Sequence, residues 1–263
     1  MKNFIILFLV PVKRIIFFIT KIITHFYGGL FWLLNSKEHT NFSLHLDAEN
    51  LKATLQNLHN FTNIDESLIE SFISFSRSIK PDKKKYKNIF KTIDLDFKSK
   101  WDYRLIPFSI LFGTDVNNVY EFGFDQGRLP LLISKYIESH NIENKRYIGV
   151  DFNTRKGVLI PESKYIEIHP KRVEDFLPDY KSLEALNNSI LVASTHEEKS
   201  EKFIFDYLDK NNIGPKFIIS DEVSKDSPYI NFVSKNNYKN TTFIFLDNMN
   251  FLEPLIIGLS RKA

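Results

Sequence analysis

From residue 118 to the C-terminus, short β-rich runs alternate with stretches of helical periodicity, and that alternation leaves few folds open. "NVYEF" (118–122) is followed by "RLPLLISKYIES" (128–139), whose Pro130 sits near the start, where a first helical turn tolerates it. "RYIGVDF" (146–152), "KYIEIH" (164–169), "SILVAS" (189–194) and "KFIIS" (216–220) read as further strands. Helical patterns lie over "EEKSEKFIFDYLDKN" (197–211) and "SPYINFVSKN" (227–236). Such an order predicts an α/β fold, a doubly wound and mainly parallel sheet with helices on both faces. "TTFIFL" (241–246) and "PLIIGL" (254–259) complete seven strands. Their connection is too short for a helical crossover, so they should pair antiparallel, as a hairpin at one edge.

The chain before this region divides in two by pattern. Residues 4–34, "FIILFLVPVKRIIFFITKIITHFYGGLFWLL", are apolar, yet Pro11 breaks the first run and Lys13–Arg14 separate it from the second. No small-residue cleavage site follows, which argues against a cleaved signal peptide. The run from Ile15 to Leu34 is about long enough to span a bilayer, but Lys21 and His25 within it are costly in lipid. On a helix Arg14, Lys21 and His25 share one stripe, interrupted by Phe17 and Phe18, and such a stripe suits an in-plane anchor at a membrane surface. A transmembrane helix and a helix buried against the rest of the protein stay open beside it. Residues 36–99 form a small helical region. Asp47 and Asp65 are expected N-caps; Leu51, Leu55 and Leu58 follow the first at helical spacing, and Leu68, Ile69, Phe72 and Ile73 the second. "KPDKKKYK" (80–87) reads as a solvated connecting loop. Residues 1–35, 36–99 and 100–263 are therefore the expected units.

The turn after the first strand, Glu121-Phe-Gly123-Phe-Asp-Gln-Gly127, carries the functional signal. In open α/β sheets ligands bind beyond the carboxyl ends of the strands, at the switch point. Glycines there admit positive φ and let backbone amides approach a ligand. A dinucleotide fingerprint needs G-x-G-x-x-G, but Asp125 and Arg128 stand where the second and third glycines would be. A carboxylate facing a pyrophosphate is unfavourable, and there is no P-loop. A ligand without polyphosphate fits better. The net charge of +3 is too small to argue for nucleic acid, and the absence of Cys excludes thiolate chemistry.

"VYEFGFDQG" resembles motif I of the class I S-adenosylmethionine-dependent methyltransferases, a Rossmann-like family in which an acidic residue precedes a glycine-rich turn. Asp151, ending "YIGVD", is similar to the acidic residue closing that family's second strand, and the final hairpin resembles the family's reversed last strand. The likeness covers residues 100–263. It implies S-adenosyl-L-methionine as cofactor. It also implies that Asp151 receives the ribose hydroxyls, that Glu121 orders the turn and the methionine end, and that Gly123 and Gly127 shape the wall. In the segment "HPKRVEDFLP", Val173, Asp175 and Phe176 are candidates for the adenine wall; a solvated loop with one buried Phe is the other reading. Asp125 departs from the family's central glycine.

"VASTHEEKS" places Ser194, Thr195, His196 and Glu197 at the edge that, by the resemblance, faces the transferred methyl. His196 is the expected general base, because imidazole titrates near neutral pH; a helix-start residue bonded to backbone is its competing reading. Asp221 and Glu222 end the fifth strand, but no spacing diagnostic for a metal accompanies them, so none is expected. His169, beside Pro170, reads as structural. These observations lead to an O-directed methyltransferase acting on a sugar, surface-glycan or lipid-linked hydroxyl. It would be cytoplasmic, peripheral at the inner face of a membrane through residues 1–34. A non-catalytic, membrane-tethered interaction protein of the same fold and a nucleotide-sugar-dependent transferase are the alternatives.

Overall fold

A computed structural model describes residues 51–79, 103–124, 127–152, 161–180, 182–195, 197–221, 223, 227–245 and 255–263. The expected membrane anchor, the Asp47 cap, the 80–87 loop, Asp125, His196 and Glu222 lie outside these residues. No helix among the described residues is long and apolar enough to cross a membrane.

Seven strands form one sheet: β1 (Asn118–Phe122), β2 (Arg146–Val150), β3 (Ile166–His169), β4 (Ser189–Ala193), β5 (Phe217–Ser220), β6 (Tyr238–Phe245) and β7 (Leu255–Lys262). Their spatial order is β3-β2-β1-β4-β5-β7-β6. The first five are parallel neighbours. β7 alone is reversed, antiparallel to both β5 and β6. This is a Rossmann-like doubly wound sheet closed by an antiparallel hairpin, as expected. The hairpin strands extend past the predicted 241–246 and 254–259 because pairing continues through Tyr238–Asn240 and Ser260–Lys262, where polar residues obscure the apolar run.

Two apolar layers follow from the period of two along each strand. Val119, Tyr147, Ile190, Val192, Phe217 and Ile219 face one layer. Tyr120, Phe122, Ile148, Val150, Leu191 and Ile218 face the other. The first layer is covered by α1 (Leu51–Thr62), α2 (Glu66–Ser78), α3 (Leu105–Gly113) and α4 (Arg128–His140). The second is covered by α5 (Val173–Asp179), a 3-10 turn at Leu183–Asn188, α6 (Glu198–Lys210) and α7 (Pro228–Lys235). Asp65 caps α2 as its sequence predicted, accepting from the Ser67 N–H at 2.8 Å.

The helices α1 and α2 share the core of the sheet. Phe72 of α2 is fully buried and meets Phe108 of α3 and Tyr136 of α4 edge-on, with ring centroids 5.5 Å apart in both cases. Arg261 of β7 donates from Nη1 to the Phe61 carbonyl at 3.1 Å, tying α1 to the sheet. Helix α3 had no counterpart in the sequence reading. It is buried from Leu105 through Leu111, so it carries no polar stripe to reveal its period.

Truncation at this junction tests the shared core. Phe72→Ala should cost about 3–5 kcal/mol, the usual loss for a buried Phe. Urea unfolding followed by far-UV circular dichroism and by tyrosine fluorescence should stay a single coincident transition, shifted to lower urea. Two separated transitions would show that α1 and α2 unfold apart from the sheet.

Candidate functional site

The register aligns the carboxyl ends of four strands. Phe122 stands beside Val150 and Ala193, and Ala193 beside Ser220. One residue further along each strand come Gly123, Asp151, Ser194 and Asp221. These four positions form the edge at which the sequence places its ligand.

Hydrogen bonding continues past the strand ends and fixes this edge. Gly123 N–H donates to the Val150 carbonyl at 2.9 Å, and Ser194 N–H to the Phe122 carbonyl at 2.8 Å. Asp151 N–H donates to the His169 carbonyl at 3.2 Å, and Asp221 N–H to the Ala193 carbonyl at 3.3 Å. Gly123 has φ +87°, and a Cβ there would lie 2.1 Å from the Ser194 carbonyl oxygen. Only glycine meets both conditions. Gly127 has φ 74° and is the N-cap of α4. Its N–H donates to the Phe124 carbonyl at 2.9 Å and its carbonyl accepts from Leu131 N–H at 3.2 Å. The two glycines therefore make the strand–turn–helix passage that their spacing predicted.

Glu121 is 1% exposed. An isolated buried carboxylate is costly, and here the Tyr147 hydroxyl donates to Glu121 Oε2. Tyr147 lies opposite Val119, two residues short of Glu121, so its ring must run along the sheet to reach the carboxylate. Gly149 makes that path available, since a Cβ there would be 2.8 Å from Tyr147 Cε1. Burial, followed by the charge of Glu121 and the bond to it, raises the Tyr147 phenol far above its ordinary value, so it stays a neutral donor.

A second buried chain lies across the ends of β4 and β5. The Ser194 hydroxyl donates to Asp221 Oδ2, and the Tyr103 hydroxyl lies 3.4 Å from Ser194 Oγ. All three residues are buried. Burial is the largest cause raising the Tyr103 phenol; Arg104 opposes it, while Asp221 and Glu121 add to it. The Arg104 guanidinium stands 4.7 Å from the Tyr103 ring centroid and lowers both tyrosines. Tyr103, Arg104 and Tyr147 did not emerge from the sequence. Their site partners lie as far as 91 residues away along the chain, and an adjacent Tyr–Arg pair has no spacing signature.

The remaining predicted residues fall along the rim. Asp151 is half-buried. Phe152 after it is 51% exposed, a large apolar ring in water, with Arg172 4.3 Å from its centroid. The segment expected as an adenine wall or a solvated loop is helix α5. Val173 and Phe176 are buried in it and Asp175 is exposed in its first turn. Phe176 packs on Phe122 and His169, with centroids 6.1 and 4.7 Å away. Thr195 and Glu197 flank His196, and Thr195 Oγ1 donates to the Glu197 carbonyl at 3.3 Å. Glu197 is the N-cap of α6, with its carboxylate 3.6 Å from Arg172 Nη1. His169 contacts Glu167 at 2.6 Å. Among the described residues no group of three or more His, Asp or Glu is placed to hold a metal ion.

No protein-family model and no curated protein sequence matches this chain. Solved structures share its layout at low identity. The O-methyltransferase NovP aligns over 58% of this chain and 75% of its own, at 12% identity and a TM-score of 0.40. CalS11, a TDP-rhamnose 3'-O-methyltransferase, aligns over 74% and 93%, at 10% identity and 0.42. TrmK of M. capricolum, solved with S-adenosyl-homocysteine, aligns over 57% and 64%, at 14% identity and 0.38. The alignment thus spans just under two thirds of TrmK. Similarity at this level concerns layout alone. The strand order of this chain, with its reversed seventh strand, is the Rossmann-like arrangement that the sequence led one to expect.

The Tyr147–Glu121 bond gives a pH-dependent expectation. A phenol raised on folding keeps its proton in the native state while the unfolded chain releases one near pH 10. Stability is then fully present below pH 10 and falls as pH rises beyond it. Tyr147→Phe should lower stability by about 1–3 kcal/mol at pH 7, the range for losing a hydrogen bond to a buried charged group. It should also flatten the decline in urea midpoint between pH 9.5 and 11. A decline as steep as wild type would remove Tyr147 from the titrating set.

Proposed function

We propose that the chain is an S-adenosyl-L-methionine-dependent methyltransferase directed at a hydroxyl acceptor, on a sugar, glycan or lipid-linked molecule. The observation that carries this reading is the charge of the strand-end edge. Buried Asp221 and half-buried Asp151 stand on it beside Gly123, and Glu121 lies buried two residues before that glycine, within β1. Three carboxylates repel a pyrophosphate and favour a ligand with a cationic centre and free hydroxyls. A sulfonium-bearing nucleoside has both. The residues present therefore fit the cofactor. Asp151 would accept from the ribose hydroxyls. The exposed Phe152 ring, next in sequence, offers a flat surface to the base. The Gly123 backbone admits the thioether chain, and Glu121 faces its amino-acid end.

When bound, the cofactor supplies an activated methyl group. The protein aligns an acceptor lone pair with that methyl, the main source of rate in such a transfer. As the oxygen gains the methyl it must lose its proton. His196, between Thr195 and Glu197 in the sequence, is the proposed recipient; Ser194, just beyond β4, bonds to Asp221, just beyond β5. A helix at residues 4–34 lying in the membrane surface would bring the enzyme to a membrane-near acceptor, and cytoplasmic, peripheral placement follows from it.

Titration calorimetry with S-adenosylhomocysteine, NAD and a UDP-sugar tests the ligand class. Binding of the first alone is expected. Asp151→Ala should weaken it roughly ten- to hundredfold, the range for hydrogen bonds to a charged group, with little change in thermal unfolding of the free protein. Preference for a UDP-sugar, or an unchanged affinity in the variant, would refute the reading. With an acceptor in hand, His196→Ala should lower kcat by about 10²–10⁴ and leave cofactor affinity near wild type. Undiminished turnover would assign the proton to another group.

A further inference from the structure

We propose that the corner of the sheet formed by the amino ends of β5 and β6 and the carboxyl end of β7 docks on an anionic phospholipid surface. This corner lies at the opposite edge from Gly123 and Asp151, and its role does not depend on the methyl-transfer reading. Strand pairing gathers its charges. Lys239 of β6 stands directly opposite Arg261 of β7, and Tyr238 opposite Lys262. Phe217 of β5 is the other partner of Arg261. The carbonyl of Lys216, just before Phe217, accepts from Lys262 N–H at 3.0 Å. Four cations thus stand on three adjacent strand ends, a width of about 10 Å at two strand spacings. Lys239 and Lys262 are exposed, and Lys216 and Arg261 half-buried.

The fold satisfies these groups more than it neutralises them. Lys216 meets an acid, Asp115, at 2.5 Å. Arg261 Nη1 donates to the Phe61 carbonyl at 3.1 Å and Lys262 Nζ to the Gly214 carbonyl at 3.4 Å, bonds that occupy donors and leave the charge. Lys235, just before β6, is balanced by Asp209 at 2.5 Å and adds nothing to the patch. Like charges directly opposite one another in an antiparallel pair are unfavourable. Lys239 beside Arg261 therefore costs stability that an anionic surface offsets. A membrane is the partner that fits. The net charge of +3 is too small for a polynucleotide, and the same chain carries the apolar run 15–34 with Arg14, Lys21 and His25. A single weak anchor holds a protein reversibly, and stable attachment takes a second signal such as a basic patch. Each Lys or Arg close to an anionic leaflet strengthens binding about fivefold. Lysines on an edge strand also discourage pairing with another chain; that role alone leaves membrane affinity untouched.

Co-sedimentation of the full chain tests the surface, with vesicles of phosphatidylcholine alone and of phosphatidylcholine and phosphatidylserine in equal parts. Wild type should prefer the anionic vesicles; no preference overturns the proposal. Lys239→Gln combined with Lys262→Gln should lower that preference about 25-fold, with a thermal midpoint no lower than wild type. Lys135→Gln combined with Lys202→Gln removes the same charge from α4 and α6 and should leave the preference within about twofold. An equal fall in both double variants assigns the preference to net charge, and no fall in the first assigns it to residues 4–34; either overturns the docking surface. Should the corner variant fail to fold, acetylation of vesicle-bound wild type decides. Lys239 and Lys262 should then be shielded while Lys202 reacts. Equal reactivity of the three, or tighter binding of wild type to a single-stranded oligonucleotide than to the anionic vesicles, overturns the proposal as well.

Discussion

The close passage of two backbones at Gly123 is the constraint on which the site depends. β1 ends there with φ +87°, and the carbonyl of Ser194 occupies the volume that any side chain would need. Because the approach is that tight, β1 and β4 remain bonded one residue beyond their ladder, through Ser194 N–H and the Phe122 carbonyl. The same contact sets the depth of the edge. Gly123, Asp151, Ser194 and Asp221 come level because the register of four strands is carried through it. A side chain at residue 123 would push the strand ends apart and dissolve the alignment of groups that would otherwise face one ligand.

A second dependence runs from a glycine to a charge. Glu121 can stay buried because Tyr147 reaches it, and Tyr147 can reach it because Gly149 leaves the sheet surface bare between them. Burial in turn raises the phenol far above its ordinary value, which keeps the proton on the donor. Asp221 is treated in the same way by Ser194 and, beyond it, Tyr103. The site keeps two carboxylates at low exposure with a hydroxyl donated to each.

The parts legible in sequence are those with a local signature. Strands buried on both faces read as apolar runs, the Gly123–Gly127 turn as punctuation between a strand and a helix, and Asp65 as a cap. The reversed seventh strand was legible because the chain between β6 and β7 is too short for a crossover. Helix α3 was hidden by its own burial, since seven consecutive positions from Leu105 to Leu111 are inside and no face is polar. The turn at Leu183–Asn188 is too short to show a period. Glu121 and Asp151 were readable as candidates because each lies within one residue of the carboxyl end of a strand. Tyr103, Arg104 and Tyr147 were not, because what matters about them is a partner fixed only by folding. Asp221 was read as a strand terminus, and its bond to Ser194 came only from the sheet order that sets β4 beside β5.

The helices preceding the sheet bear on the chemistry through α3. Phe72 of α2 wedges against Phe108, and Phe75 lies 6.4 Å from the same ring in a stacked arrangement. Phe108 belongs to the helix whose first turn follows Tyr103 and Arg104. Rigid helices transmit displacement along their axes, and a packed aromatic junction has little room to adapt. Tyr103 and Arg104 directly precede that helix, so the packing of Phe72 and Phe75 on Phe108 bears on where they stand. An isolated sheet region starting at α3 would retain Glu121 and Asp151 but would lose the aromatic packing on Phe108 in the helix that Tyr103 and Arg104 precede. The N-terminal helices are in this sense part of the site's construction, and the core they share with the sheet is the means by which they act.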